Sequence, residues 1–300
     1  MFDTPLNHFK SVFAHHLFVV PSDRNYFLAR FAKTYGMNEE FWWQALQTIE
    51  KLLKAGLILN GVSVKSANGH DVESLWIKHK EHFGDLAVTK LTKPDNLPEN
   101  CWPNASVDEF LARLYRMGQP DSRYGLLGYS NLKFDLFVFD RLAFELRRRT
   151  IGLDWIVGED FPNEGLKELY GQPYRSVISD FPEREIRKMK TPTGSFSVIG
   201  SELEDVVFSW NYSFRRSDGD LERPTPPKVA STIPGFGNSH LNLLWEKISN
   251  GHVTDDARER IEWLLENVKI GRDAEKALRS KLNGTARNSG TGAAPPQAGR

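Results

Sequence analysis

Cysteine is almost missing from this chain: Cys101 stands alone among 300 residues. A single thiol can neither close an internal disulfide nor furnish a multi-cysteine zinc site, so the composition fits a reducing compartment and predicts a cytoplasmic protein. Net charge is missing as well, because 39 Lys and Arg residues balance 39 Asp and Glu residues. That balance removes the uniform field of a dedicated nucleic-acid binder, although it leaves room for a local basic patch. No apolar run is long enough to cross a bilayer, and no membrane partner is expected. The stretch SVFAHHLFVV near the start is apolar, but paired histidines interrupt it and no strong basic region precedes it. It reads as a short packed element rather than a signal peptide. A Gly-rich phosphate loop, a Gly-x-Ser-x-Gly elbow and a dinucleotide fingerprint are all absent, and no cofactor is expected. Alternating strand residues are also scarce; SFSVIG is the best candidate, and it is short.

What remains is helix. Ser22 and Asp23 are placed to cap a helix through RNYFLARFAKTYG, ending at Gly36, with Phe27, Phe31 and Tyr35 as its buried stripe. Asn38 can cap the next segment, EEFWWQALQTIEKLLKAGLILNG, where Trp42, Ala45, Leu46, Ile49, Leu52 and Leu53 form a wide apolar face. Its other stripe holds Gln47, Glu50, Lys51 and Lys54, and Asn60-Gly61 ends it. Asp71 is placed to cap VESLWIKHKEHFG. After a Pro- and Asn-rich link come VDEFLARLYRMG, a turn containing Arg123, and NLKFDLFVFDRLAFELRRR. The apolar residues of that last segment spread round the whole helix and put it at the centre of the bundle. Short connections between these helices are the mark of an up-and-down bundle. Beyond it, short helical patches alternate with Pro and Gly until DDARERIEWLLENVKIG, for which Thr254 is the cap.

Four divisions follow: an N-terminal extension over 1–21, a helical bundle over 22–152, an irregular, mostly helical extension over 153–282, and a small, polar tail over 283–300. That tail is too poor in apolar residues to fold.

Several side chains are candidates for chemistry. His70 and Asp71 are either an acid/base pair or a helix-start fixture in which Asp71 caps. His79 and His82 share one helical face at metal-ligand spacing, but no third ligand is readable nearby. Glu50 and Lys54 suit a surface ion pair, while Lys51 and Lys54 together can meet an acidic partner or a phosphate. Arg141, Glu145 and Arg148 share a face that is either solvated or turned to a ligand, and Arg123 lies in a turn where it can bind or anchor.

The order of these pieces resembles the HEPN superfamily of small helical domains, found in prokaryotic toxin–antitoxin, defence and other RNA-targeting systems. The resemblance rests on Glu50 to Ala55, Asn60-Gly61, Gly69-His70-Asp71 and Leu75, with Arg123 to Gly125 and the Arg-rich helix end as further likeness. It covers roughly residues 22 to 150 and implies an all-α HEPN-like bundle that forms a homodimer and contacts RNA, a nucleotide or a cognate protein. The family's better-known activity is metal-independent RNA cleavage by an arginine and a histidine separated by a short spacer near the start of the last bundle helix. There the histidine serves as base and the arginine stabilises phosphate charge. This chain departs from that motif, since none of its eight histidines has arginine at the upstream positions. For His70 those positions hold Ser63, Val64 and Lys65; for His240 they hold Ile233, Pro234 and Gly235. The expectation is therefore a non-catalytic binding or assembly module. Lys51, Lys54, His70, Asp71 and Arg123 are its candidate contact residues. The alternatives are a divergent ribonuclease using His70 with Arg141 or Arg148, and a nucleotide-binding protein.

Overall fold

The computed structural model describes residues 5–65, 71–93, 98–103, 106–123, 132, 135–147, 150 and 253–288. Every regular element among them is helical, which makes the fold all-α. The elements are α1 (Pro5–Ala14), a π-turn (His15–Val19), α2 (Val20–Thr34), α3 (Asn38–Leu59), α4 (Val72–Phe83), α5 (Val107–Met117), the short α6 (Pro120–Arg123), α7 (Asp135–Arg147), α8 (Asp255–Asn267) and α9 (Arg272–Asn288), with two single 3-10 turns at Gly84–Leu86 and Glu99–Cys101. Much of the sequence beyond α7, including EGLKELYG, PEREIRKM, SFSVIG, ELEDVVFSWNY and HLNLLWEKIS, lies outside the described residues.

α3 is the hub, packing against α1, α2, α4, α5 and α7. Its apolar face is the one that helical spacing predicts: Trp42, Ala45, Leu46, Ile49, Leu52 and Leu53 are all buried. Phe41, Leu57 and Leu59 are buried too, so α3 is covered on more than one side. Gly56 does not interrupt it, and a Cβ there would meet nothing within 4 Å. Asn60 donates back to the Gly56 carbonyl at 2.8 Å, and Gly61 leaves the helix at φ 80°, where a glycine avoids steric penalty.

Two helix starts differ from the sequence expectation. α2 does not begin at Ser22 or Asp23, because α1 runs through the π-turn straight into it. Ser22 instead lies within the helix and donates from Oγ to the Val19 carbonyl at 2.7 Å. The stretch SVFAHHLFVV is thus part of one continuous helical run, and Phe9, Phe13, Phe18 and Val19 join the main core. Asn38 is the first residue of α3, not its cap; its amide donates back to the Gly36 carbonyl at 3.2 Å and holds the turn. Two other starts match. Asp71 Oδ1 accepts from Ser74 N at 3.0 Å. Ser106 and Glu109 form a reciprocal capping box on α5.

The larger difference concerns which face of α2 is inside. Phe27, Phe31 and Tyr35 are only half-buried, whereas Tyr26, Ala29, Arg30, Ala32 and Lys33 are buried. Small residues at 22, 29 and 32 let α2 approach α3 and α7 closely, and the buried cations are matched by carboxylates on α7.

α5 meets α3 end-on at Gly118, where a Cβ would sit 2.6 Å from Leu46 Cβ and 2.9 Å from the Trp42 carbonyl oxygen. Gly118→Ala is expected to destabilise the fold by about 1–3 kcal/mol through overpacking. A lowered urea midpoint would register it, while an unchanged midpoint would mean that α5 can slide without loss.

α8 closes over the start of the chain. Trp263 packs edge-on against Phe9 and Phe13, with ring centroids 5.9 and 5.8 Å apart. The α3–α4 loop covers its C-terminus: Val64 N donates to the Asn267 carbonyl at 3.0 Å, and Ser63 Oγ to the Glu266 carbonyl at 3.1 Å. Thr254 caps its other end, accepting from Ala257 N at 3.2 Å. α9 continues to Asn288, past the boundary read at residue 282.

Candidate functional site

The residues singled out from sequence fall into separate places. Lys54 pairs with Glu50 at 2.6 Å, as i,i+4 spacing predicts, but the Glu50 side chain is buried rather than on an open surface. Lys51 donates to Asn25 Oδ1 at 2.9 Å and Gln47 Oε1 at 2.8 Å, which ties α3 to α2; burial lowers its pKa. Asp71 is engaged as the α4 cap through both oxygens, with Ser74 Oγ donating at 2.6 Å. Arg141 pairs with Glu145 at 2.9 Å along α7. Arg123 ends α6. His70 and Arg148 lie outside the described residues. The structure therefore brings Asn25, Gln47 and Lys51 together, and keeps Lys54, Asp71 and Arg141 each in a local pair.

His79 and His82 do not point to a shared site. His79 is buried in an aromatic stack, its ring 5.1 Å from that of Trp76 and nearly parallel to it, and 4.4 Å from Phe83. His82 lies edge-on to Phe83. Among the described residues, no group of three or more His, Cys, Asp or Glu side chains is placed to hold a metal ion.

A charged seam between α2, α7 and α5 is the site that the sequence reading missed. Tyr26 Oη donates to Asp140 Oδ1 at 2.6 Å, and Arg30 forms a short charged hydrogen bond to the other oxygen of the same carboxylate. About one and a half turns along α7, Arg113 on α5 clasps Asp135 with two nitrogens, at 2.7 and 3.1 Å. Leu132 N donates to Asp135 Oδ2 at 2.7 Å, and Lys33 Nζ stands 3.9 Å away. At the opposite end, Arg147 grips Asp23 at 3.0 and 3.2 Å and reaches Thr150 Oγ1 at 3.3 Å. The three couples run 23 to 33 on α2 against 147 to 135 on α7, so the two helices are antiparallel. The placement also suits the helix dipoles: Asp135 opens α7, Arg147 closes it, and Lys33 lies in the last turn of α2.

Electrostatics within the seam follow from burial. Asp135 and Asp140 have no exposed surface, and desolvation pushes both carboxyls up against the pull of Lys33 and Arg113 at one, and of Arg30 and Tyr26 at the other. Lys33 is only 2% exposed, and desolvation lowers its pKa to about 8, with Asp135 pulling it up and Arg113 pushing it further down. The Lys33 ammonium and the Arg113 guanidinium also lie over aromatic rings, 4.7 Å from the Phe41 centroid and 4.9 Å from that of Trp42. Trp42 Nε1 is buried without a hydrogen-bond partner beneath this cluster. An amine with a pKa near 8 has the proton affinity of a general base, but Lys33 has no surface on which a substrate could reach it. The seam holds charges in place; it does not present them.

One signal in the sequence does point to it. Asp23, Tyr26, Arg30 and Lys33 follow one another at intervals of three and four residues, which is a single helical face. A face carrying a tyrosine among charges of both signs is unusual for a solvated stripe. No helix among the described residues is long and apolar enough to cross a membrane. No family model, curated protein or solved structure matches the chain.

Proposed function

We propose that this chain is a non-catalytic, HEPN-like binding and assembly module, working as a cytoplasmic homodimer in a prokaryotic RNA-targeting, toxin–antitoxin or defence setting. The reading rests on the sequence resemblance carried by Glu50 to Ala55, Asn60-Gly61, Gly69-His70-Asp71 and Leu75. One observation carries the non-catalytic part. Four bundle arginines that could otherwise turn toward phosphate are committed to carboxylates of the same chain: Arg30 to Asp140, Arg113 to Asp135, Arg141 to Glu145 and Arg147 to Asp23. Withdrawing Arg30 to serve a substrate would take an ion-pair partner from fully buried Asp140, and withdrawing Arg113 would leave Asp135 with the more distant Lys33.

Incubation of the purified chain with mixed RNAs tests the reading. No cleavage is expected, with or without divalent metal. Cleavage that disappears in His70→Ala, while the variant keeps its helical circular dichroism, would overturn it in favour of a divergent ribonuclease.

A further inference from the structure

Two fastenings hold α8 among the described residues. The first is its inner face, where Ala257, Ile261, Leu264 and Leu265 are buried and the helix packs chiefly on α1 and α9. Each of α1 and α8 lays a cation on the other's ring. Lys10 Nζ stands 5.7 Å from the Trp263 centroid, and the Arg260 guanidinium 5.6 Å from that of Phe9. The second fastening is at the C-terminus of α8, where the last four carbonyls of a helix lack partners within it. Leu264 O accepts from Val268 N at 3.0 Å. The other three carbonyls are taken by a loop at least 200 residues away in the chain: Leu265 by Lys65 Nζ at 2.5 Å, Glu266 by Ser63 Oγ and Asn267 by Val64 N. Lys65 also sets a positive charge at the negative end of the α8 dipole, and the same ammonium reaches Glu275 on α9 at 3.3 Å.

We propose that α8 and α9 form a strap that opens and closes as one unit over a standing bundle, with Lys65 as its fastener. Local opening begins where buried contacts are few and hydrogen bonds are exposed. α3 is enclosed by α1, α2, α4, α5 and α7, whereas the strap is held by α1 and by the loop Ser63–Lys65. Its fastener is half-exposed: the side chains of Lys65 and Glu275 are 35% and 28% accessible. Because Lys65 ties both helices to the loop, its release frees them together. Opening bares Phe9 and Phe13 on α1, and it unpins the loop that runs on to Asp71 at the start of α4. A single event thus uncovers an apolar face and loosens a loop. The charged seam lies on α2, α5 and α7 and stays closed.

Hydrogen exchange on the full chain, read by mass spectrometry over α3, α8 and α9, is the test. In the wild type, α8 and α9 are expected to exchange through one shared opening, faster than the α3 amides. Lys65→Met should speed both helices by the same factor, roughly fivefold, for the loss of one half-exposed charged hydrogen bond. Arg279 also donates to Glu275, at 2.8 Å, and remains in that variant, so a faster α9 reports undocking rather than fraying. The α3 amides should be unchanged. So should the strap in Lys80→Met, which takes a comparably exposed lysine from Asp108. Exchange of α8 as slow as that of α3, or a response of only one strap helix to Lys65→Met, would overturn the strap as a unit. Equal acceleration of α3 would overturn a bundle that stands while the strap opens. Strap rates unchanged by Lys65→Met would overturn Lys65 as the fastener.

Discussion

Asp140→Ala is expected to cost the fold about 3–5 kcal/mol, enough to leave much of the chain unfolded at 37 °C. The carboxylate accepts from the buried Tyr26 hydroxyl and is a counter-charge for buried Arg30. Removing it takes a charged partner from a guanidinium that is itself buried, and it opens a small cavity besides. The cost belongs to the orphaned partner more than to the missing pair. Arg30→Met combined with Asp140→Asn should therefore recover most of the loss, since the buried charge is gone and Tyr26 keeps an acceptor. Urea unfolding of the two single variants and the double variant would measure this coupling. A loss below about 1 kcal/mol in Asp140→Ala would mean that Arg30 finds another partner or reaches solvent.

The second large effect is a rise in stability with pH. Lys33 has a folded pKa of about 8 against an ordinary 10.5. Between these values the unfolded chain still holds the proton that the folded chain has released, so unfolding must take one up. Stability therefore climbs from pH 8 to 10.5, by roughly 3 kcal/mol in total. Below pH 8 both states are protonated and the fold carries the full cost of the buried ammonium. Lys33→Met removes the titration while Arg113 keeps its two bonds to Asp135. The variant should be more stable than the wild type at neutral pH, and the difference should vanish near pH 10.5. Measuring both proteins at each pH cancels the titration of Lys51 and the tyrosines. Parallel curves through the window would refute a buried, charged Lys33.

Both effects come from a seam that local sequence reading does not reach. Helical periodicity correctly identifies the inner face of α3, because Trp42, Leu46, Ile49 and Leu53 must all face one way in a 3.6-residue repeat. The Asp71 and Thr254 caps and the end at Asn60-Gly61 are also legible, since caps are short-range chemistry between residues a few positions apart. The same logic turns α2 inside out. Phe27, Phe31 and Tyr35 look like the buried stripe because aromatic residues usually are, and Arg30 and Lys33 look solvated because cations usually are. What reverses the choice is Asp135 and Asp140, more than a hundred residues away along the chain. No spacing rule links residues at that separation. The tie between Lys51 and Asn25 of the neighbouring helix is out of reach for the same reason, since it joins residues 26 positions apart.

The edge-on contact of Trp263 with Phe9 and Phe13 has a consequence for the order in which this protein can form. Synthesis delivers Phe9 first and Trp263 some 250 residues later, roughly 10–50 s apart at about 5–20 residues per second. During that interval α2 and α3 can close their hairpin, and α7 can lock onto α2 once Asp140 has emerged. The aromatic edge of α1 still has no cover. α1 is thus completed only once α8 has emerged, long after α2 and α3, which follow it directly in the chain.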